Sequence, residues 1–403
     1  MKVMIPGWKT FVNANALLAA LGAVAVDPAA AHAQSDVPLD TGYVIYEKGP
    51  ISLPLGIGLG IPTYNRVGGL ALPWGPDIKF GGERIKLSPR VTYRSHIGDF
   101  DPQIAGRIAF GDADELRFTA GRSTFSNDKW IRGDLMNSLA AIGVGTDARN
   151  YFRADRAEAE FFHSFVQPVM KITPSIGALH EYAWSTGSAV SHDDGPWSIF
   201  GKSDTLKMLR INPAIARGHT TSGLAGVRLD YDDKVTTGRL IARAEHALDT
   251  RYAGVTDSED FTQFTIDART EFPTFGVQTF AFKGHGVFTS GDAPPQRFAY
   301  LGGSSTLSTV DLLAMGGDRL VFVEGEYKYP LNRPVLQFVG APIISLRYAA
   351  GSAGVSELPD FVQNIGIGIG LKVVKVEYTI DPSYKETPFN KKSAFSFSFS
   401  LPF

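Results

Sequence analysis

The chain ends with the sequence Phe395-Ser-Phe397-Ser-Phe399-Ser-Leu401-Pro-Phe403, in which every second residue is large and apolar. A β-strand points successive side chains to opposite faces, so this stretch predicts a strand with one apolar face and one polar face. At the edge of a soluble sheet such a strand would invite pairing with other chains. The stretch therefore favours a final strand whose apolar face is covered by lipid.

The same alternation recurs upstream, for example in residues 85–94, 225–231, 264–271, 321–329 and 365–371. Two architectures fit it: a soluble sandwich whose apolar faces meet, and an outer-membrane barrel whose apolar faces meet lipid. The segments are longer than the ~5–6 residues usual for a sandwich strand, and charged residues lie in the middle of their polar faces, as a wet lumen allows. The sequence therefore predicts an all-β fold, a transmembrane antiparallel β-barrel of the bacterial outer membrane.

We expect about 16 strands, with 12 or 14 as alternatives. The candidate strands are 64–74, 85–97, 102–111, 115–124, 155–169, 172–186, 207–217, 221–233, 235–249, 260–273, 276–290, 318–331, 337–351, 360–372, 373–382 and 394–403. The connections between them, including 125–154 with its Trp130, are expected outside the barrel, and Trp130 is expected to anchor the membrane interface.

Composition narrows the class of protein. The 403 residues contain 43 glycines and no cysteine, which excludes a disulfide scaffold and any thiolate metal site. A formal charge of −2 is too balanced for a protein whose main partner is nucleic acid.

The amino-terminal residues resemble an export signal. Lys2 and Lys9 precede a short apolar run, and Ala31-His32-Ala33 offers small residues where a signal peptidase cleaves. We therefore expect a signal peptide over 1–33, a short periplasmic segment over 34–63 and the barrel over 64–403, in the outer membrane after export.

A family resemblance rests on three stretches: Tyr300-Leu-Gly-Gly-Ser-Ser-Thr-Leu-Ser-Thr-Val-Asp311, then Gly316-Gly-Asp-Arg319, then Glu324-Gly-Glu-Tyr-Lys-Tyr-Pro-Leu331. In order and spacing they resemble the bacterial surface antigen family, the barrels of the barrel-assembly and two-partner-secretion machineries. Tyr64-Asn-Arg-Val-Gly-Gly-Leu70 and the terminal Phe add to the resemblance.

The resemblance implies a long loop, residues 298–317, that folds into the lumen. The residues assigned to this lumen loop and its base are Gly302, Gly303, Ser308, Thr309, Val310, Asp311, Gly316, Gly317 and Asp318. Ser308-Thr309-Val310 stands where the family carries an Arg-Gly-aromatic tip, so the family's loop-to-wall charge contact is not expected. The 34–63 segment is too short for the family's periplasmic POTRA domains, which implies a barrel-only member. The family's closing aromatic implies that Phe399 and Phe403 form the signal read by the assembly machinery.

Polar strand faces supply the predicted lumen wall. Its residues are Arg90, Arg94, Arg228, Arg239, Arg243, Asp267, Arg269, Glu324, Glu326, Lys328, Gly366, Gly368 and Gly370. The charges either pair across strands and fill the interior or line a mixed-charge channel. The three glycines are expected to leave room for the lumen loop.

Other chemistry-bearing patterns are weaker. Gly366-Ile-Gly-Ile-Gly370 resembles a phosphate loop but lies within an alternating strand, so its amides belong to the sheet. His192-Asp193-Asp194 could bind a divalent cation, and His163-Ser164 or His180 with Ser185 could suggest a hydrolase, yet no third orienting group is recognisable. We therefore expect no enzyme activity, cofactor or metal.

The sequence thus predicts an outer-membrane barrel that aids insertion or passage of proteins or lipids, or alternatively a passive pore. A third hypothesis is that the protein is a purely structural barrel or an enzyme with its site in the lumen. The expected partners are outer-membrane lipids, lipopolysaccharide, the barrel-assembly machinery and a protein or lipid client that the sequence does not identify.

Overall fold

The computed structural model describes residues 51–186, 212–254, 260–331, 341–371 and 374–399. Their regular structure is almost entirely β-strand. None of the helices in these ranges has the length and apolar character needed to cross a membrane.

The strands follow one another along the chain with one α-helix between them. The first strands are β1 (Ile51–Ser52), β2 (Thr63–Asn65), β3 (Gly69–Trp74), β4 (Asp77–Phe80), β5 (Ile85–Arg94), β6 (Asp99–Ala109) and β7 (Asp114–Phe125). After helix α1 (Asp134–Val144) come β8 (Phe152–His163), β9 (Phe165–Val166), β10 (Met170–Trp184), β11 (Gly218–Asp232), β12 (Thr237–Tyr252), β13 (Phe261–Pro273) and β14 (Thr279–Gly291). The last are β15 (Ala299–Leu301), β16 (Met315–Gly317), β17 (Arg319–Pro330), β18 (Ile343–Gly354), β19 (Val362–Gly370), β20 (Val374–Ile380) and β21 (Ser393–Phe399). Short 3₁₀ turns lie at Pro54–Gly56, Asp128–Trp130 and Pro295–Arg297.

Nineteen of these strands form one antiparallel sheet in sequence order, and β15 pairs separately with β16. Three pairs of strands each occupy one position in the sheet: β3 and β4 lie end to end along β5, β2 and β1 lie along β3 and β4, and β8 and β9 lie along β10. Nineteen strands less three leaves sixteen positions in the described residues. The predicted all-β antiparallel barrel is confirmed, and the count matches the expected sixteen.

Alternate side chains separate the two faces of the sheet. On β18, Ile344, Leu346 and Tyr348 are exposed, whereas Ser345 and Arg347 between them are buried. Because only a closed sheet satisfies its backbone in lipid, the apolar face is the outer wall and the polar face surrounds the lumen.

The connections differ at the two ends of the barrel. Residues 81–84, 110–113, 233–236 and 274–278 are short turns at the end where Ile51 enters the sheet. The opposite end, here called the loop end, carries the long connections, including 126–151 and 292–318. Outer-membrane barrels place short turns in the periplasm, so the loop end faces outward.

The sheet begins earlier than the sequence predicted. Ile51 and Ser52 pair with Ile78 and Asp77, and Leu59 forms a bridge to Trp74. The described sheet therefore includes Ile51 and Ser52, which the sequence analysis assigned to the segment 34–63 that precedes the predicted barrel, 64–403. The prolines and glycines between Ile51 and Thr63 interrupt this strand, which is why its sequence lacks the regular alternation of the other strands.

One predicted strand is wrong in its described part. Residues 212–217 of the candidate 207–217 form no strand, and the rest of it lies outside the described residues. The next strand, β11, instead begins at Gly218. The predicted signal peptide, residues 1–33, also lies outside the described residues.

Candidate functional site

Two long connections enter the lumen and share one hydrophobic core. The core joins Trp130, Ile131 and Ala148 of the first connection to residues of the second, and both pack on the inner faces of β14, β17 and β18. The second connection and the wall contribute Ala299, Leu301, Leu307, Val310, Leu313, Met315, Val287, Leu320, Phe322, Ala349 and Ala353. We call residues 126–151 the first plug segment and residues 292–318 the second plug segment.

Trp130 anchors the first plug segment in the middle of the barrel. Its ring stacks on His285 of β14 with 4.0 Å between centroids and 11° between planes, and lies 5.5 Å from the ring of Phe322. The ammonium of Lys283 is 5.0 Å from the indole centroid, within cation–π range. Arg269 donates a hydrogen bond of 3.0 Å to the Trp130 carbonyl. The expectation that Trp130 anchors the membrane interface, outside the barrel, is wrong.

The second plug segment is fixed at its base by a buried arginine. Arg297 contacts Glu181 of β10 at 2.8 Å and Glu245 of β12 at 3.0 Å. Arg156 also donates to Glu181, at 2.8 Å from Nε, so the carboxylate lies between two guanidiniums. Burial by itself lowers the pKa of Arg297, but the two carboxylates outweigh it and raise that pKa above its usual value.

Glycines turn the chain at the base of the loop tip. Gly302 and Gly303 have φ of 123° and 92°, and a Cβ on Gly302 would lie 2.1 Å from the Asp311 carbonyl oxygen. Only glycine adopts this conformation without strain. The Gly302 amide then donates to the Thr306 hydroxyl at 3.0 Å, which closes a compact tip.

The tip is buried against the lumen wall. Thr306, Leu307 and Thr309 are fully buried, and Ser308 and Val310 nearly so. Arg347 of β18 donates to the Thr306 carbonyl and to Glu324 of β17, whose Oε2 is 2.8 Å from Nε. The same guanidinium reaches Glu377 of β20 at 3.2 Å. Arg347 therefore joins three wall strands to the loop.

Asn364 of β19 forms hydrogen bonds with the loop tip through both the nitrogen and the oxygen of its side-chain amide. Its Nδ2 donates to the Thr309 hydroxyl at 2.7 Å, and its Oδ1 accepts from the Thr309 amide at 3.2 Å. The connection between β20 and β21 covers the other side. Lys391 donates through its amide to the Thr309 carbonyl at 2.7 Å and pairs with Asp311 at 2.5 Å.

The lumen-facing glycines accommodate wall side chains. A Cβ on Gly366 would lie 2.9 Å from the Glu377 carboxyl group, and one on Gly368 would lie 2.5 Å from Cε of Lys375. At Gly370 the nearest atom is the Val374 carbonyl oxygen, at 2.8 Å. The space above Gly366 and Gly368 thus holds the side chains that engage Arg347 and Glu326, rather than the lumen loop itself.

At the base of the loop, Gly316, Gly317 and Asp318 lead back into the wall. Gly316 lies under the Tyr300 ring and Gly317 against the Gly354 carbonyl, approaches that a side chain would block. Asp318 accepts from the Ser356 amide at 2.7 Å.

Most of the predicted wall charges pair with other polar or charged side chains of the barrel. The partners are Asp77 for Arg90, Asp101 for Arg94, Asp230 for Arg228 and Arg239, Glu158 and Glu160 for Arg243, His285 for Asp267, Lys375 for Glu326 and Glu271 for Lys328. A charged cavity of about 300 Å³ remains between the plug segments and β8–β14. Its charged lining includes Arg243, Arg297, Glu158, Glu245 and Asp267.

Sequence reasoning did not single out Arg347, Glu377, Asn364 or Arg297. Arg347 was within a predicted strand. The one signal for a lumen role was that it follows the apolar outward positions Ile344 and Leu346 and precedes Tyr348, so its side chain must point inward. Glu181 had the same signal on β10. Nothing in the local sequence links Arg297 to strands more than fifty residues earlier, because that contact exists only in the closed barrel.

The remaining sequence candidates do not assemble into a site. His163 bonds to Asp114 at 2.6 Å and Ser164 lies 3.4 Å from Thr173, so neither contacts the other in a catalytic arrangement. His180 bonds to Thr221 at 2.9 Å and faces outward. His192-Asp193-Asp194 and Phe403 lie outside the described residues, and Phe399 ends β21 opposite Val374.

The fold and the lumen define an outer-membrane β-barrel with inserted plug segments. Among solved structures, the chain is similar to BamA from Haemophilus ducreyi lacking POTRA domains 1–3, with a TM-score of 0.52 and 12% identity over 85% of this chain and 69% of that one. It is also similar to CdiB from Escherichia coli (TM-score 0.46, 12% identity, 85% and 61% coverage) and from Acinetobacter baumannii (0.47, 12%, 84% and 58%). The chain therefore spans less than two thirds of each CdiB chain.

The likeness to BamA shows the fold, and at this level the resemblance predicted from residues 300–331 is confirmed. No protein-family profile matches the sequence. No curated protein matches it either.

Proposed function

We propose that the protein resides in the outer membrane and aids the insertion or passage of protein or lipid clients beside its terminal strand. The observation that carries this proposal is the shared core of the two plug segments, which packs on the lumen faces of β14, β17 and β18. A barrel whose axis is blocked by a packed core is poorly suited to passive diffusion. Clients would then pass along the barrel wall, where it meets the lipid, instead of through the lumen.

The strand lengths favour the terminal side of the wall. β19 and β20 have 9 and 7 residues, whereas β11 and β12 on the far side have 15 and 16. At ~3.3 Å per residue, seven residues span about 23 Å, less than the ~30 Å hydrocarbon core of a typical bilayer. A short wall thins the adjacent bilayer, which lowers the cost of inserting another polar backbone there.

The likeness to BamA supports the same function as far as a shared fold can. We therefore extend the proposal to its partners: the barrel-assembly machinery during biogenesis, a secreted or inserted client, and the lipids around the wall.

A passive pore is the second candidate, and the charged cavity of about 300 Å³ favours it. Arg243, which is 43% exposed, shows that part of the lumen is open to water. As a pore, the full chain would conduct ions steadily.

Proteoliposomes separate the two functions. We expect vesicles containing the protein to accelerate folding of an unfolded eight-stranded outer-membrane barrel, measured by heat-modifiable migration, above protein-free vesicles of the same lipid. We expect planar bilayers to show little conductance for the full chain and a larger one after deletion of residues 298–317. No acceleration, together with steady conductance of the full chain, would overturn the proposal in favour of the pore.

A further inference from the structure

A cluster of basic and aromatic side chains lies on the outer wall near the loop end, on three neighbouring strands. It consists of His180 and Tyr182 of β10, Arg217 and His219 at the start of β11, and Arg251 of β12, and is called here the outer cationic patch. His180, Arg217, His219 and Arg251 are exposed. Their neighbours Glu181, Thr220 and Thr250 are buried on the lumen side, so the patch faces away from the lumen.

The patch is compact. The His219 ring centroid is 4.5 Å from that of Tyr182 and 5.7 Å from that of His180. Arg217 donates from Nε to the Tyr182 hydroxyl at 2.7 Å, and its guanidinium carbon lies 5.8 Å from the centroid of the Tyr182 ring. His219 is directly opposite Arg251 in the ladder, a register that brings side chains within about 5 Å at Cβ.

The patch carries net positive charge. In the described part of the chain, Arg217 forms no ion pair within 4.0 Å, and Arg251 has only the exposed Asp249 at 3.3 Å. The nearby Arg122 and Asp155 pair at 2.8 Å and cancel each other. Exposed arginine that is not neutralised by a protein carboxylate is suited to bidentate recognition of phosphate.

Position along the strands identifies the partner. Below the patch, towards the turn end, the outer face becomes apolar: Ile176 is 68% exposed and Ala178 and Ala225 are exposed. Tyr182, followed by Trp184, lies at the boundary, where amphipathic rings anchor in the headgroup layer. Because the loop end faces outward, the patch lies at the level of headgroups in the outer leaflet.

We propose that the outer cationic patch binds the phosphate groups of a phosphorylated glycolipid of the lipid A type in the outer leaflet. Arg217 and Arg251 hold the phosphate, His180 and His219 donate from their rings, and the acyl chains lie along Ile176 and Ala225. Charge complementarity and the adjacent apolar band together select a lipid rather than a soluble anion. The inference depends on the barrel's placement in the membrane and is independent of the client that the protein handles.

Lipid binding by the full chain tests this proposal. The probes are diphosphoryl lipid A and the same glycolipid with both phosphates removed, each presented to the detergent-solubilised protein and quantified by native mass spectrometry. The variant Arg217→Gln with Arg251→Gln removes two charges from the patch. The matched control is Lys171→Gln with Lys234→Gln, which also removes two exposed positive charges. Lys171 is at the start of β10 and Lys234 is in the turn between β11 and β12, so both lie at the turn end, away from the patch.

We expect the wild type to prefer the diphosphoryl form, the patch variant to lose about tenfold or more of that affinity, and the control to retain it. Heat-modifiable migration establishes that both variants are folded. Equal binding of the two glycolipids by the wild type, or unchanged binding by the folded patch variant, would overturn the proposal. A patch variant that changes the oligomeric state but not lipid binding would show that a second copy of the chain covers the patch, and would also overturn it.

Discussion

Arg347 on β18 donates a hydrogen bond to the main-chain carbonyl of Thr306, at the tip of the second plug segment. The cation that ties loop to wall is therefore on the wall, and the loop supplies an uncharged acceptor. In the family that the sequence resembles, the arginine is on the loop, at the position of Ser308 here. The expected loss of a loop-tip arginine is thus accompanied by a wall arginine that contacts the same loop.

Replacing Arg347 by Ala should destabilise the barrel and release the loop tip. Glu324 and Glu377 would remain in the interior without their shared partner, and breaking a buried pair costs about 3 to 5 kcal/mol. The midpoint of the heat-modifiable transition should fall, and protease should cleave within residues 298–317. The control Arg228→Ala removes a pair whose arginine is 44% exposed, worth about 0 to 1 kcal/mol. Equal effects of the two changes would contradict the role of Arg347.

Replacing Trp130 by Ala should loosen the first plug segment. The change removes the stack on His285, the contact with Phe322 and the cation–π contact with Lys283, and large-to-small changes of buried aromatics cost about 3 to 5 kcal/mol. We expect higher conductance in planar bilayers and faster proteolysis of residues 126–151. The control is Trp74→Ala, because Trp74 is on the outer wall and more than half exposed. Unchanged conductance would show that Trp130 does not hold the lumen closed.

Two cysteines placed at Thr309 and Asn364 should form a disulfide with each other. No native cysteine can compete for this bond, because the chain has none. The side chains of these residues already meet at 2.7 Å. Gel migration with and without reductant measures the crosslink, and the locked protein should show low conductance.

A comparison pair, Ser308→Cys with Gly368→Cys, should crosslink poorly. A side chain at Gly368 would meet Cε of Lys375 at 2.5 Å and the Ser345 hydroxyl at 2.9 Å. Efficient crosslinking of this pair, with none between positions 309 and 364, would place the loop elsewhere on the wall.

Changing Phe399 and Phe403 to Ser should lower the amount of protein assembled in the membrane. Phe399 ends β21 opposite Val374 of β20, and the terminal aromatic is the expected recognition signal. Membrane fractionation measures the outcome. Phe395→Ser is the matched control on the same strand, because its side chain is 80% exposed and its ring packs on Tyr378 of β20 on the outer face, with 4.8 Å between centroids. Normal membrane levels of the double variant would count against the signal.

The sequence by itself determined the class of fold and the division of each strand into two faces. The period of two follows from the geometry of a single strand, so Ile365, Ile367 and Ile369 could be assigned to the outer wall from local sequence alone. The charges of Glu324, Glu326 and Lys328 were assigned to the lumen for the same reason. Prolines and glycines hid the alternation only at the start of the sheet, between Ile51 and Thr63.

The tertiary structure alone decided what occupies the lumen. The composition of residues 126–151 suits an exposed loop as well as a plug, and Trp130 becomes an interior anchor only because β14 and β17 bring His285 and Phe322 to meet it. The bond from Arg347 to Thr306 likewise joins residues far apart in the chain. Closure of the barrel creates these contacts, and local periodicity carries no information about which inserted segment will meet which part of the wall.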